Sequence, residues 1–147
     1  LNRRFRKATI VTLEHDVAWA DLLAKSVEHR VIHAPLVCQD ISRRQVMFHD
    51  LKVLSRAERF DMILVDGPIG TRRYSRLGLL RIMELHMQQD NFLAIMDDAE
   101  RPGEMQTLVL CRDWLAKNGV THVEQELKAA KHQRIFAAGT FSRARYY

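Results

Sequence analysis

Three short apolar runs in this chain each end abruptly at a carboxylate. Residues 8–13 precede Glu14, residues 62–65 precede Asp66, and residues 92–96 precede the pair Asp97 and Asp98. Apolar runs rich in Val, Ile and Leu are typical of strands that are buried on both faces of a parallel sheet. Ligands bind beyond the carboxyl ends of such strands. The pattern therefore predicts that these acidic strand ends converge on one crevice.

Between these runs the hydrophobic period changes to that of an amphipathic helix. Helices are predicted over residues 16–28, 77–87 and 102 to about 118, with Pro102 in the first turn of the last one and Gly119 as its cap. Further strands are predicted over residues 30–34, 123–127 and 134–138. Residues 36–59 show a less regular pattern, with a helix expected near 50–56.

Alternating strands and helices predict an α/β fold, a three-layer α/β/α sandwich around a mostly parallel, Rossmann-like sheet. The last two strands are joined by too few residues for a crossover helix, so they should form an antiparallel hairpin. With 147 residues, 47% of them hydrophobic and 28% charged, the chain is one globular domain. No apolar run approaches the roughly 20 residues that a membrane helix needs.

The cysteines, the net charge and the tryptophans indicate the expected compartment, partners and core. Cys38 and Cys111 form no Cys-x-x-Cys pair, so we expect two buried thiols in a reducing cytoplasm. The net charge of +5 is spread along the chain without interleaved aromatic residues, which does not favour a nucleic-acid partner but suits an anionic substrate. Trp19 and Trp114 lie on predicted helix faces and are expected in the core.

The segments at these strand ends resemble the class I S-adenosylmethionine-dependent methyltransferases. That resemblance implies that Glu14, with His15 beside it, holds the ribose hydroxyls of S-adenosylmethionine, and that Ala34 lies beside the adenine. It also places Asp66 at the cofactor. A carboxylate suits the ribose because it accepts hydrogen bonds from two adjacent hydroxyls. The alternative for Glu14, a solvated loop acid, stays open.

Residues 60–68 and 94–101 resemble the fourth and fifth strands of the metal-dependent O-methyltransferases, each with the loop that follows. The resemblance implies that Asp66, Asp97 and Asp98 bind Mg²⁺, an ion that prefers oxygen ligands. Turn or capping roles for these aspartates stay open. Ile69 stands where the family has a lysine base, so the catalytic base is unassigned. The family's first strand and glycine-rich loop have no counterpart, and the single domain over residues 1–147 is expected to be N-terminally incomplete.

The leading interpretation is a methyltransferase that uses S-adenosylmethionine, assisted by a divalent metal, to O-methylate a small hydroxylated molecule or a saccharide. Two alternatives remain open. A NAD-type oxidoreductase also carries an acid at the end of its second strand, and a methyltransferase-like domain without activity would serve as an interaction module. No membrane partner is expected, and a homodimer is left open. Arg72, Arg73, Tyr74 and Arg76 either flank the substrate mouth or form an exposed helix start.

Overall fold

The structure is a computed structural model that describes residues 8–146 of the chain. The strands in this range are β1 (Val11–Glu14), β2 (Arg30–His33), β3 (Leu36–Ile41), β4 (Arg44–His49), β5 (Met62–Val65), β6 (Leu93–Met96), β7 (Val123–Lys128) and β8 (His132–Ala137). The α-helices are α1 (Val17–Ser26), α2 (Gly78–His86) and α3 (Pro102–Lys117), and 3-10 turns cover Leu51–Val53 and Gly139–Tyr146. None of the helices in this range is long and apolar enough to cross a membrane.

The strands form three small sheets of mixed direction. β1 and β2 are parallel, β3 and β4 form an antiparallel hairpin, and the third sheet has the order β5-β6-β8-β7. In that sheet β5 and β6 are parallel, whereas β8 runs antiparallel to both β6 and β7. The predicted α/β class and the C-terminal hairpin are confirmed. The prediction of one mostly parallel sheet is matched only by the two parallel pairs.

The β3–β4 hairpin is the main element that the sequence pattern missed. Its turn consists of Ser42 and Arg43, which both adopt left-handed backbone angles with φ of 53° and 61°. Two-residue hairpin turns of type I′ need this conformation at both positions, and Asn-Gly is their usual sequence signal. Because Ser-Arg is not such a signal, the sequence pattern did not predict the hairpin. The helix expected near residues 50–56 shortens to the single 3-10 turn Leu51–Val53, which Asp50 caps.

The core lies between the four-stranded sheet and helices α2 and α3. Its buried members include Ile63, Val65, Ala94, Met96, Leu79, Met83, Leu108, Cys111, Leu115 and Phe136. On β5, however, Met62 and Leu64 are 44% and 56% exposed, while the alternate residues are buried. The prediction that this strand is buried on both faces is therefore wrong. In the part of the chain that the structure describes, the two helices cover one face of β5.

Helix α1 packs through a narrow stripe. Asp16 caps it by accepting a hydrogen bond from the Trp19 backbone N–H at 3.0 Å, but Ala20 is its only buried residue. Trp19 is 59% exposed, so its predicted place in the core is wrong. Trp114 is partly buried and packs against the core, and Cys111 is fully buried in it. Cys38 is exposed on β3, contrary to the prediction that both thiols are buried.

Gly78 lets α2 approach β4 closely. A β-carbon at Gly78 would overlap the ring of Phe48. We expect Gly78→Ala to lower the free energy of unfolding by about 1–3 kcal/mol through overpacking, even though Ala is the better helix former. Urea denaturation measures the change. The control is Gly67→Ala, because a β-carbon at Gly67 meets nothing within 4 Å. Equal stability of the two variants would contradict this close packing.

Candidate functional site

Two parallel strands bring three of the predicted acids together. Val65 of β5 pairs with Met96 of β6, and the Asp97 backbone N–H donates to the Val65 carbonyl at 3.0 Å. The residues that follow these strands are consequently neighbours. The carboxylates of Asp66, Asp97 and Asp98 offer oxygens that all lie within 4.8 Å of one another. We call these three side chains the carboxylate cluster.

The members of the carboxylate cluster differ in their access to solvent. The Asp66 side chain is 65% exposed, whereas Asp97 and Asp98 are 7% and 2% exposed. Asp98 has a φ of 55°, a left-handed conformation that Asp tolerates better than most residues. This conformation turns the chain sharply after β6. Only Asp66 therefore presents its carboxylate to a molecule that arrives from outside.

A buried arginine contacts all three residues of the carboxylate cluster. The Arg76 side chain is 4% exposed, and its guanidinium donates to Asp98 Oδ2 at 3.0 Å and to the Asp97 carbonyl at 2.8 Å. It also donates to the Pro68 carbonyl at 3.3 Å and lies 3.9 Å from Asp66 Oδ1. One guanidinium thus joins the loops that follow β5 and β6. The prediction left Arg76 at the substrate mouth or on an exposed helix start, and the structure buries it instead.

Two further cations reach the cluster from its other side. Lys131 Nζ lies 3.1 Å from Asp97 Oδ2 and 3.2 Å from Asp98 Oδ1. Arg101 Nη1 lies 3.0 Å from Asp98 Oδ2. The Gln133 side-chain amide donates to Asp97 Oδ1 at 3.1 Å. Both oxygens of each buried aspartate are therefore already contacted by a side chain of this protein.

A second buried carboxylate supports Arg76. Glu104, in the first turn of α3, is 1% exposed, and its Oε1 lies 3.8 Å from Arg76 Nε. The Ser75 hydroxyl donates to the same oxygen at 2.7 Å, and the Thr107 hydroxyl donates to the Ser75 carbonyl at 2.6 Å. Tyr74 and Arg76, on either side of Ser75, have φ of 49° and 54°. Such angles cost on the order of 1–3 kcal/mol each in non-glycine residues, so these buried bonds offset backbone strain.

The surroundings shift the pKa values of the cluster in opposite directions. Burial, followed by the neighbouring Asp97 carboxylate, raises the pKa of Asp66. Burial also opposes ionisation of Asp97, but hydrogen bonds from Gln133 and Lys131 outweigh it and lower the pKa of that carboxyl. The pKa of Asp98 is likewise lowered against its burial, by Lys131, Arg76 and Arg101. The two buried aspartates are accordingly held ionised.

The cluster meets the spacing of a metal site, but cations of the protein already contact its carboxylates. Mg²⁺ needs several oxygen atoms with free lone pairs in an octahedron. Here three cations, Arg76, Arg101 and Lys131, already contact the cluster, and Arg76 also lies beside Glu104. Binding of Mg²⁺ would require Lys131 at least to leave. As arranged, the residues do not fit a resident divalent ion.

The other predicted residues form a separate group at the ends of β1 and β2. Glu14 pairs with His33 in the parallel ladder, and the Ala34 backbone N–H donates to the Glu14 carbonyl at 2.7 Å. Glu14 Oε1 accepts from the backbone N–H groups of His15 and Asp16 at 2.7 and 2.9 Å. The structure thus brings Glu14, His15 and Ala34 together. Among the contacts of residues 8–143, none links this group to Asp66.

This group has the right chemistry for a vicinal diol. One oxygen of Glu14 is fixed by two backbone N–H groups, and in the described part of the chain Oε2 has no hydrogen-bond partner. A carboxylate oriented in this way accepts hydrogen bonds from ribose hydroxyls. The residues therefore fit the ribose end of S-adenosylmethionine. They equally fit the ribose of a dinucleotide.

His49 is a buried histidine next to this group. It is 7% exposed, its Nδ1 lies 3.1 Å from the Ala34 carbonyl, and its ring is 5.8 Å from that of His15. Because a carbonyl only accepts, Nδ1 carries the hydrogen. Burial is the main reason why the pKa of His49 is lowered. His49 is consequently a neutral residue that fixes the turn after β2.

Sequence reasoning missed most of the residues that hold the carboxylate cluster. Lys131 and Gln133 lie in or beside the short connection between β7 and β8, where nothing in the sequence marks them. Glu104 reads as an ordinary acid in the first turn of a helix. Arg76 had one usable signal, its place a few residues after Asp66. That signal did not distinguish it from its exposed neighbours Arg72 and Arg73.

The fold is similar to that of a methyltransferase from Pyrococcus furiosus known from its crystal structure. The TM-score is 0.55 at 15% sequence identity, and the match covers 94% of this chain and 66% of that one. The present chain thus spans just under two thirds of that protein's length. At this identity the likeness establishes a methyltransferase-like α/β fold. The sequence matches no family model and no curated protein.

Replacing Arg76 tests whether it holds the cluster together. In Arg76→Leu the buried Asp98 and Glu104 lose a charged partner, so we expect the free energy of unfolding to fall by about 3–5 kcal/mol. Chemical denaturation measures this loss. The matched control is Arg72→Leu in the same loop, which is exposed and should change stability by no more than about 0.5 kcal/mol. A loss of similar size in both variants would contradict the role of Arg76.

His49 predicts a pH dependence of stability. Its pKa is lower in the folded state, so the unfolded chain binds the extra proton first as the pH falls below about 6.5. Its contribution to stability is complete above that pH and decreases below it, by at most about 1.4 kcal/mol per pH unit. His49→Asn keeps a donor near Ala34 but cannot titrate. Denaturation at several pH values between about 5.5 and 7.5 should show a flatter profile for this variant. An unchanged profile would rule out His49 as the source.

Proposed function

We propose that this protein is an S-adenosylmethionine-dependent methyltransferase that acts on a small hydroxylated molecule or a saccharide. The observation that carries the proposal is the presence of two acidic groups, each at the ends of a pair of parallel strands, in one methyltransferase-like fold. One group is Glu14 with its neighbours after β1 and β2, and the other is the carboxylate cluster after β5 and β6. We assign the first to the methyl donor and the second to the acceptor.

On the donor side, Glu14 receives the ribose. Its Oε1 is held by two backbone N–H groups, so the carboxylate does not need to reorganise before it accepts the hydroxyls. We place the adenine at the end of β2, over the turn that contains Ala34, whose own side chain is fully buried. When bound, S-adenosylmethionine supplies an electrophilic methyl group, and the protein's own task is to align it.

On the acceptor side, Asp66 is the residue that reaches solvent. Arg76 and Lys131 fix the two buried aspartates behind it, so the position of Asp66 is set by the loop that Arg76 holds. An exposed carboxylate at a fixed place accepts a hydrogen bond from an acceptor hydroxyl and orients it. No base is assigned for the proton that this hydroxyl loses.

Metal-assisted O-methylation is a second candidate, supported by the 4.8 Å spacing of the carboxylate cluster. It would require Lys131, whose side chain is 56% exposed, to give up its contacts with Asp97 and Asp98. The contacts that Arg76, Arg101 and Lys131 already make with the cluster favour transfer without a metal. Turnover that persists in EDTA agrees with the metal-free version, and turnover that is lost in EDTA and restored by Mg²⁺ establishes the second candidate.

Ligand-induced stabilisation tests the proposal directly. S-adenosylhomocysteine should raise the melting temperature of the full-length protein, since a ligand of the native state stabilises it. Glu14→Gln should weaken binding by about tenfold, because it removes charge-assisted hydrogen bonds worth about 1.5–3 kcal/mol. Isothermal titration calorimetry gives both affinities. Glu28→Gln is the control, since Glu28 is exposed in the loop after α1, and this variant should bind as the wild type does.

Other ligands separate the remaining alternatives in the same assay. Stabilisation by NAD but not by S-adenosylhomocysteine would replace the proposal with an oxidoreductase. A full-length protein that binds neither ligand would support an interaction module with a methyltransferase-like fold. Either result would overturn the methyltransferase assignment.

A further inference from the structure

A groove rich in positive charge shares no lining residue with either acidic group. It is formed by the β3–β4 turn, the loop before α2 and the C-terminal end of α3, and has a volume of about 830 Å³. Its lining residues are Ser42, Arg43, Arg44, Arg73, Tyr74 and Lys117. Four of them are cations and none is acidic. We call this feature the basic groove.

The cations of the basic groove are not neutralised by carboxylates. In the described part of the chain, the guanidinium of Arg44 donates to the Ser42 carbonyl at 2.6 Å, and no salt bridge involves the four cations of the groove. The carboxylate of the nearby Asp40 accepts from the backbone N–H of Arg43, at 3.1 Å, rather than from its guanidinium. Unpaired cations gathered in a concave surface create a strong local positive potential.

The arginines within helices α2 and α3, by contrast, form ion pairs. Arg81 of α2 lies 2.8 Å from Glu84, and Arg112 of α3 lies 2.7 Å from Glu124. In the described part of the chain, the basic groove thus brings four cations without a carboxylate partner together on one lining. Four cations that line one groove suit a compact anion that all of them can reach.

Tyr74 lies at the centre of this charge. The guanidinium carbons of Arg44 and Arg73 are 4.3 and 5.7 Å from its ring centroid. Arg44, through its contact with the hydroxyl and its charge, and then Arg73, lower the pKa of Tyr74. Because two guanidinium groups already lie against the Tyr74 ring, a nucleotide base would have to displace one of them to stack there. The hydroxyl remains a hydrogen-bond donor.

We propose that the basic groove binds a compact ligand with adjacent phosphate groups, held by Arg43, Arg73 and Lys117. Guanidinium groups match phosphate oxygens in geometry, and lysine adds a point charge. Several cations that line one groove can be met together by a polyphosphate, whose negative charges are adjacent. The groove goes beyond the proposed methyl transfer and does not depend on it.

Calorimetric titration of the full-length protein with sodium tripolyphosphate tests the groove. We expect binding that weakens as NaCl is added. Arg73→Gln and Lys117→Gln should each reduce the affinity by about tenfold, because each removes charged hydrogen bonds to the ligand. Arg56→Gln is the matched control, since Arg56 is exposed and lies outside the groove.

A third variant tests the groove with a substitution that suits the local backbone conformation. Arg43→Asn removes the charge but keeps a residue that tolerates the left-handed φ of 61° at this turn. Circular dichroism and melting temperature confirm the fold of each variant. Absence of tripolyphosphate binding, or equal binding by the wild type and all three groove variants, would overturn the proposal. So would tighter binding of single-stranded oligothymidylate than of tripolyphosphate, which would identify the groove as a nucleic-acid surface.

Discussion

The buried guanidinium of Arg76 is the constraint on which the candidate site depends. A charge taken out of water is tolerated only when partners surround it. Arg76 finds them in Asp98 and Glu104 and in the carbonyls of Pro68 and Asp97. These partners belong to the loops after β5 and β6 and to the start of α3. Satisfying one cation therefore fixes three segments of the chain at the carboxyl ends of two parallel strands.

This constraint also decides the electrostatic character of the site. With Lys131 and Arg101 added to Arg76, the three carboxylates of the cluster lie among three cations. The buried aspartates are structural anions that keep their charge, and Asp66 is the exposed member. A resident divalent ion would compete with these cations for the same oxygens. The site is thus better suited to orienting a polar molecule than to holding a metal.

Much of the secondary structure followed from local pattern. The apolar runs before Asp66 and Asp97 form strands, and Pro102 and Gly119 stand just inside the start and just past the end of α3, with Gly119 at φ 65°. The β3–β4 hairpin was missed because Ser42 and Arg43 adopt turn angles that their residue types do not announce. Burial was less predictable than element type, because it depends on which faces the helices cover.

The sequence alone determined where acids end strands, because hydrophobic period and charge are local properties of the chain. It thereby indicated that Asp66, Asp97 and Asp98 would meet, since parallel neighbours share a carboxyl edge. Only the tertiary structure decided what those carboxylates contact. Arg76 lies 10 residues after Asp66 in the sequence, and Lys131 lies 34 residues after Asp97. Ion pairing is set by distance and desolvation in space, and neither quantity is written in the order of the residues.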